Sequence, residues 1–272
     1  MIARVAGSEL PIGVFDSGVG GLTVVRALMQ RLPREDILYF GDTARVPYGI
    51  KSEETIAHFA TQIAQFLLAR QVKLLIIACN TMAAVAARAI TELAPVPVLD
   101  VISAGAQAAV EATRGRRIGV IGTLATINSS AYENAIRRLD PQAQVLSQSC
   151  PLFVPLAEEG WFDHPVARLT AQEYLAPLLA QSVDTLVLGC THYPLFKPLL
   201  QEGVGAHVQL VDSADAMAIQ TQALLRERGW ERPPGNDNGS HQFFVTDVPQ
   251  RFQKVGERFL GRALAPVQLV RL

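Results

Sequence analysis

The chain has 272 residues, of which 49% are hydrophobic and 18% are charged, so it can bury enough apolar surface to fold and is not a disordered chain. Its 24 Lys and Arg residues are balanced by 25 Asp and Glu residues, without a basic block, which argues against a nucleic-acid partner. No apolar run approaches the ~20 residues that cross a bilayer, and residues 1–11 lack the features of a secretory signal. We therefore expect a cytoplasmic protein that binds neither nucleic acid nor a membrane.

Short apolar runs typical of strands alternate with longer segments of helical period, which predicts βαβ units and a parallel sheet. In chain order, the first predicted strands and helices are 12–16 with 22–32, 37–40 with 52–70, and 74–78 with 82–93. The second half adds a strand at 117–122, a helix at 125–139, a helix from 165 to about 181, a strand at 185–189, a helix after 194, an exposed loop at 232–241 and a last strand at 243–246.

The two halves of the chain resemble each other faintly. Residues 12–17 resemble residues 118–123, and residues 74–81 resemble residues 185–192, with nearly equal offsets of 106 and 111 residues. This suggests an α/β protein of two similar, doubly wound lobes related by a pseudo-twofold axis; chance likeness between buried strands is the alternative. We expect residues 1–100 plus 210–272 to form the first lobe and residues 101–209 the second.

The chain has three cysteines, which a reducing compartment would keep as thiols. Cys79 and Cys190 each follow a predicted buried strand, at the edge where α/β sheets bind ligands, and the positive end of a following helix would lower the pKa of a thiol there. The alternative is a small buried apolar residue, which we expect for Cys150. Two thiols in matched positions suit the inversion of a carbon stereocentre, because one group removes the Cα proton from one face and the other delivers a proton to the opposite face.

Other chemistries fit the sequence less well. The five histidines are scattered and no Cys-x-x-Cys occurs, so we expect no metal site. The case for a disulfide between the two thiols is weaker than the case for a metal. Pyridoxal phosphate would need a Schiff-base lysine, and only Lys51 of the four lysines lies beside a candidate ligand loop. We therefore expect a reaction without a cofactor.

Two loops follow predicted strands and could bind a small ligand. The glycine-rich segment 16–22 opens a helix, where backbone N–H groups can bind an anion. It matches neither the dinucleotide fingerprint nor the phosphate loop, so a substrate carboxylate fits better, with Asp16 available for an ammonium group; a plain tight turn is the alternative. The polar loop 41–49 offers further donors that could close over a small ligand.

Taken together, these segments resemble the motifs of the bacterial glutamate racemase family, in the aspartate/glutamate racemase superfamily. The matching segments are 16–22, Pro47-Tyr48-Gly49, Cys79-Asn80-Thr81, 150–158, and 189–194, which reads Gly-Cys-Thr-His-Tyr-Pro. They occur in the family's order over nearly the whole chain. The version at 189–194 resembles glutamate racemases more than the related aspartate racemases. The resemblance implies two α/β lobes with mainly parallel sheets and an active site in the cleft between them.

The resemblance also implies a cofactor-independent interconversion of L- and D-glutamate that supplies D-glutamate for peptidoglycan. Carried over by position, Cys79 would deprotonate D-glutamate with help from Asp16. Cys190 would deprotonate L-glutamate with help from His192 and Glu158. The residues that would hold the substrate are Asp16, Ser17, Pro47, Tyr48, Gly49, Asn80, Thr81, Thr123, Thr191 and His192.

Two alternatives to this reading stay open at this point. An aspartate or hydantoin racemase of the same superfamily is the nearest. Some family members form dimers or bind DNA gyrase, so a homodimer and a gyrase complex alongside catalysis are also retained as hypotheses. The sequence departs from the family at Met82, where a small residue is usual, and this could crowd the start of a helix.

Overall fold

The computed structural model of the protein describes residues 7–235 and 238–272. Parallel strands form two separate sheets, one of six strands and one of four. The strands are β1 Ile12–Asp16, β2 Ile37–Gly41, β3 Leu74–Ile77, β4 Val98–Asp100, β5 Arg117–Gly122, β6 Gln144–Ser149, β7 Thr185–Gly189, β8 Gln209–Asp212, β9 His241–Val245 and β10 Val267–Leu269.

Helices connect the strands. They are α1 Leu22–Arg31, α2 Glu53–Leu68, α3 Asn80–Leu93, α4 Val101–Ala112, α5 Leu124–Asn128, α6 Ala131–Leu139, α7 Phe153–Glu159, α8 Pro165–Leu179, α9 Lys197–Val204, α10 Ser213–Arg228 and α11 Pro249–Leu260, with short 3₁₀ helices at Tyr48–Ile50 and Tyr193–Phe196. Among the residues described, no helix is long and apolar enough to cross a membrane.

The two sheets share one strand order. The first sheet runs β10-β9-β2-β1-β3-β4 and the second runs β6-β5-β7-β8, so the four strands of the second sheet match β2-β1-β3-β4 of the first. Every pairing is parallel, with Val14 of β1 opposite Tyr39 of β2 and Ile76 of β3. The predicted fold of two similar α/β lobes is therefore confirmed. It also follows that Cys79 and Cys190 lie after equivalent strands, β3 and β7.

The central strands are mostly apolar and are buried along their whole length, as expected for parallel strands with helices on both faces of the sheet. All residues of β1, β2, β3 and β7 are buried. Helix starts are set locally: Ser52 Oγ accepts a hydrogen bond from Thr55 N at α2, and Asp100 Oδ1 accepts from Ile102 N and Ser103 N at α4. α10 packs against both α1 of the first lobe and α4, and so ties the two lobes together.

The structure corrects several predicted boundaries. The single helix predicted at 125–139 is two helices, because Ser130 adopts a left-handed backbone conformation with φ of 54° between α5 and α6. The strand at 243–246 is not the last one, since β10 pairs with β9 at the sheet edge. The boundary expected between residues 209 and 210 falls inside β8, which belongs to the second sheet. The described part of the predicted loop 232–241 is mostly exposed, and Asn236 lies outside the described residues.

A buried ion pair closes the end of the first sheet that lies opposite the carboxyl ends of its strands. Lys73, just before β3, contacts Glu35, just before β2, and each side chain is almost fully buried. Lys73 Nζ also donates to the carbonyl oxygen of Trp230 at 3.0 Å, and the second carboxylate oxygen of Glu35 accepts from Arg232 N at 2.8 Å. These bonds satisfy both charges in the interior, as burial requires.

Candidate active site

A cavity of about 310 Å³ lies between the carboxyl ends of the two sheets, lined by residues of both lobes. Among the predicted site residues, those that line it are Ser17, Pro47, Tyr48, Gly49, Cys79, Asn80, Thr81, Thr123, Glu158, Cys190, Thr191 and His192. The other residues that line the cavity are Gly18, Val19, Val46, Ile50, Leu124, Pro151, Val154 and Pro155. The structure thus brings the predicted residues to one place.

Cys79 lies at the start of α3, where it occupies the capping position of the helix. Its Sγ lies 3.5 Å from Ser17 Oγ, and the residue is 6% exposed. Burial and the nearby charge of Asp16 raise the pKa of this thiol to about 12, although hydrogen bonds from Ser17 and from Met82 N–H act in the opposite direction. The helix terminus acts to lower the pKa of Cys79, as expected, but desolvation and a like charge outweigh it, so the net shift is upward.

Cys190 differs from Cys79 in its partners. Its Sγ lies 3.8 Å from His192 Nδ1, and His192 Nε2 lies 3.3 Å from Glu158 Oε1. The residue after Cys190 does not begin an α-helix; a 3₁₀ helix starts at Tyr193 instead. Burial alone would lower the pKa of His192, but the contacts with Cys190 and Glu158 raise it to about 10. His192 is therefore an imidazolium at neutral pH, and it holds the pKa of Glu158 below its usual range.

Asp16 does not line the cavity and lies behind its wall, with no exposed surface. Its Oδ2 accepts from Gly18 N at 2.9 Å and its Oδ1 lies 3.5 Å from Thr191 Oγ1, which belongs to the other lobe. Burial raises the pKa of Asp16 in spite of these bonds. The negative charge of the Asp16 carboxylate is near enough to raise the pKa of the Cys79 thiol.

The loop that carries Pro47-Tyr48-Gly49 is held by Asp42, a buried residue that sequence reasoning missed. Asp42 accepts a hydrogen bond from the Tyr48 hydroxyl, pairs with Arg45 Nε at 2.6 Å and accepts from Thr246 Oγ1 at 2.8 Å. Burial and the charge of Asp42 raise the pKa of Tyr48, so its hydroxyl remains a donor. The only sequence signal for Asp42 was its place in a polar loop after a strand.

Hydroxyl groups from both lobes meet beside Cys79. Thr81 Oγ1 lies 3.0 Å from Thr123 Oγ1 and 3.3 Å from Thr126 Oγ1. Among the described residues that line the cavity there is no Lys or Arg. The carboxylates of a substrate would consequently be met by hydroxyl, amide and backbone N–H groups and by His192.

No set of three or more His, Cys, Asp or Glu side chains within residues 7–235 and 238–272 is arranged to hold a metal ion. None of the four lysines lines the cavity. Lys73 is paired with Glu35, and Lys197 is paired with Asp212 and Asp215.

The sequence pattern of the Asp/Glu/Hydantoin racemase family matches residues 12–221. The chain belongs to this family. Its members are racemases, so the protein is an isomerase, and the resemblance seen in the motifs is confirmed.

Individual members of this racemase family match along almost the whole chain. A glutamate racemase of Syntrophus aciditrophicus is 64% identical over 262 residues, which cover 96% of this chain and 97% of that protein. Among solved structures, a glutamate racemase isoform of Bacillus anthracis superposes with a TM-score of 0.93 at 39% identity, covering 97% and 98% of the two chains. A glutamate racemase of Francisella tularensis, solved in complex with D-glutamate, has a TM-score of 0.90 at 43% identity, with the same coverage.

Proposed function

We propose that the protein interconverts L- and D-glutamate without a cofactor, by proton transfer between Cα and two cysteines. The observation that carries the proposal is the pair Cys79 and Cys190, which follow equivalent strands of the two sheets and line one cavity. A two-base racemisation needs acid/base groups on opposite faces of the substrate, and two similar lobes supply such a pair.

For L-glutamate, the Cys190 thiolate takes the Cα proton, and the electron pair left on carbon takes a proton from the Cys79 thiol on the other face. The product is D-glutamate, and the reverse reaction exchanges the two roles. The surroundings of the thiols support this order. With its pKa raised to about 12, Cys79 is protonated and ready to donate at neutral pH, and the imidazolium of His192 lies 3.8 Å from the sulfur of Cys190.

We assign the remaining site residues as follows. Asp16 acts on Cys79, and Glu158 holds His192, which acts on Cys190. The substrate is bound by Ser17, Pro47, Tyr48, Gly49, Asn80, Thr81, Thr123, Thr191 and His192, which all line the cavity. Asp16 is not assigned as a substrate ligand, because it lies behind the cavity wall with no exposed surface. Because the lining residues described include no Lys or Arg, binding depends on hydrogen bonds more than on ion pairs.

Glutamate is favoured as substrate because the relatives that match along the whole chain are glutamate racemases. An aspartate racemase of Picrophilus torridus shares only 16% identity and shows a similar fold alone. As part of the proposal, the enzyme supplies D-glutamate for peptidoglycan synthesis in the cytoplasm. That the protein forms a homodimer or binds gyrase remains a prediction from the sequence.

The test is proton NMR of the purified protein with L-glutamate in D2O, without added cofactor, with circular dichroism followed in parallel. We expect the Cα–H signal to disappear and the dichroism to decay to zero. Aspartate and a hydantoin are run as competing substrates, and faster turnover of either would replace glutamate in the proposal. If all three stay unchanged, the proposed function is wrong.

Cysteine variants test the two-base mechanism. Cys79→Ala and Cys190→Ala should each abolish racemisation without loss of the fold, since each removes one of the two proton-transfer groups. Cys150→Ala is the matched control, because Cys150 is also buried but does not line the cavity. Racemisation at the wild-type rate by Cys190→Ala protein would exclude the mechanism.

A further inference from the structure

Tyr132 links the second lobe to the residue that follows Cys79. It lies near the start of α6, is 2% exposed, and its hydroxyl donates a hydrogen bond to Asn80 Oδ1 at 2.7 Å. Asn80 is the first residue of α3 and lines the cavity. The bond therefore crosses from one lobe to a cavity residue of the other.

In the structure the amide oxygen of Asn80 faces the Tyr132 hydroxyl, which also lies 3.4 Å from the carbonyl oxygen of Val101. The oxygen is engaged by Tyr132, so Nδ2 lies on the opposite edge of the amide. Nδ2 is buried and has no hydrogen-bond partner among the described residues. A buried amide nitrogen without an acceptor is unfavourable unless something else supplies one, and a ligand of the cavity is the available source.

The space around the Tyr132 ring is kept open by two glycines. A Cβ on Gly105 would lie 3.0 Å from the Tyr132 hydroxyl oxygen, and a Cβ on Gly189 would lie 3.0 Å from Cε2 of the ring. Gly189 ends β7 and directly precedes Cys190. Tyr132 thus bonds to the residue after Cys79 and lies close to the residue before Cys190. Burial raises the pKa of its hydroxyl, which stays protonated.

We propose that Tyr132 is a positioning residue for substrate binding: its hydroxyl fixes the Asn80 amide so that the amide presents N–H, and not oxygen, to a carboxylate of the amino-acid substrate. The inference rests on the proposed function. A reversed amide would place its carbonyl oxygen against the carboxylate, where the two acceptors repel each other. Tyr132 itself touches no substrate and acts through Asn80.

The first test is Tyr132→Phe, which keeps the ring between Gly105 and Gly189 and removes only the hydroxyl. KM for both enantiomers should rise by up to about tenfold, as expected for one lost hydrogen bond, while kcat changes less. Tyr174→Phe is the matched control, because the Tyr174 hydroxyl accepts a hydrogen bond from Leu152 N at 3.3 Å and does not contact Asn80. Its KM should equal that of the wild type.

A double-mutant cycle separates positioning from a merely structural role. If Tyr132 acts through Asn80, Tyr132→Phe should raise KM in the wild type but leave it within about twofold in an Asn80→Ala background. The same factor in both backgrounds would overturn the inference. Asn80→Asp gives a second route should Tyr132→Phe fail to fold: it keeps an acceptor for Tyr132 and replaces only the N–H donors, so KM should rise at least as much.

The outcomes distinguish this inference from the proposed function. An active wild type with an unchanged KM in Tyr132→Phe overturns the inference alone, and so does an unchanged KM in Asn80→Asp. A wild type that does not racemise glutamate overturns the proposed function and this inference together.

Discussion

Gly20, in the glycine-rich loop of the first lobe, lies against the segment after Cys190. A Cβ built on Gly20 would lie 2.2 Å from Thr191 Oγ1 and 2.6 Å from Cε1 and Nδ1 of His192. The Gly20 backbone is not in the left-handed region, so alanine there is strained by contact alone. We predict that Gly20→Ala impairs the Cys190 half of the site.

The required movement can be worked out from these distances. Ordinary contact begins at 3.4 Å, so the His192 ring must retreat by about 0.8 Å and Thr191 Oγ1 by about 1.2 Å. The His192 ring is held by Cys190, by Glu158 and by an edge contact with Phe259, so it cannot simply rotate away. Overpacking of this kind costs about 1–3 kcal/mol, and a displacement near 1 Å at a reacting group can reduce the rate by about 100-fold.

The assay is the initial rate of racemisation from each enantiomer, together with the thermal midpoint of unfolding, which should fall by about 2–4 °C per kcal/mol. Gly203→Ala is the control, because it lies in α9 away from the cavity and its Cβ would meet only Leu175 Cδ1, at 3.1 Å. A Gly20→Ala protein with wild-type rates from both enantiomers would show that the two lobes separate easily at this point, and would refute the reasoning.

Two further predictions concern stability. Lys73→Met leaves Glu35 buried without its partner, so the free energy of unfolding in urea should fall by about 3–5 kcal/mol. The value of kcat/KM should not change, because Lys73 lies at the end of the sheet away from the cavity. Arg88→Ala is the control: it removes an exposed ion pair with Glu92 and should leave stability unchanged. A lower kcat/KM in Lys73→Met would contradict this. In the folded protein His192 keeps its proton up to about pH 10, whereas in the unfolded chain it loses the proton near pH 6.5. Protonated His192 therefore stabilises the fold fully below about pH 6.5, and this stabilisation disappears as the pH rises to about 10. The difference in thermal midpoint between the wild type and His192→Gln should shrink over that range, and a constant difference would count against the raised pKa.

The arrangement of the two cysteines could be predicted from the sequence because it depends on local order. Cys79 and Cys190 each follow an apolar run of strand length, and parallel strands place their carboxyl ends at one edge of the sheet. The helix break at Ser130 and the three-residue strand β10 were not predictable in this way. The break does not interrupt the apolar pattern, and the strand is too short to form a clear apolar run.

The partners of Asn80 and Asp42 were missed because they come from distant parts of the chain. Tyr132 is 52 residues from Asn80, and Thr246 is 204 residues from Asp42. The pKa of Cys79 was predicted in the wrong direction for the same reason: a helix terminus can be read from the sequence, but the burial of the thiol and the charge of Asp16 beside it depend on the fold.

The two lobes repeat one strand order, but the groups around their cysteines do not repeat: Ser17 and Asp16 accompany Cys79, while His192 and Glu158 accompany Cys190. Enantiomers have equal free energies in water, so for a racemase the ratio kcat/KM must be the same in both directions. Nothing requires kcat and KM to be equal separately. Because one half-site holds a neutral thiol and the other is paired with an imidazolium, we expect kcat and KM to differ between the two enantiomers by the same factor.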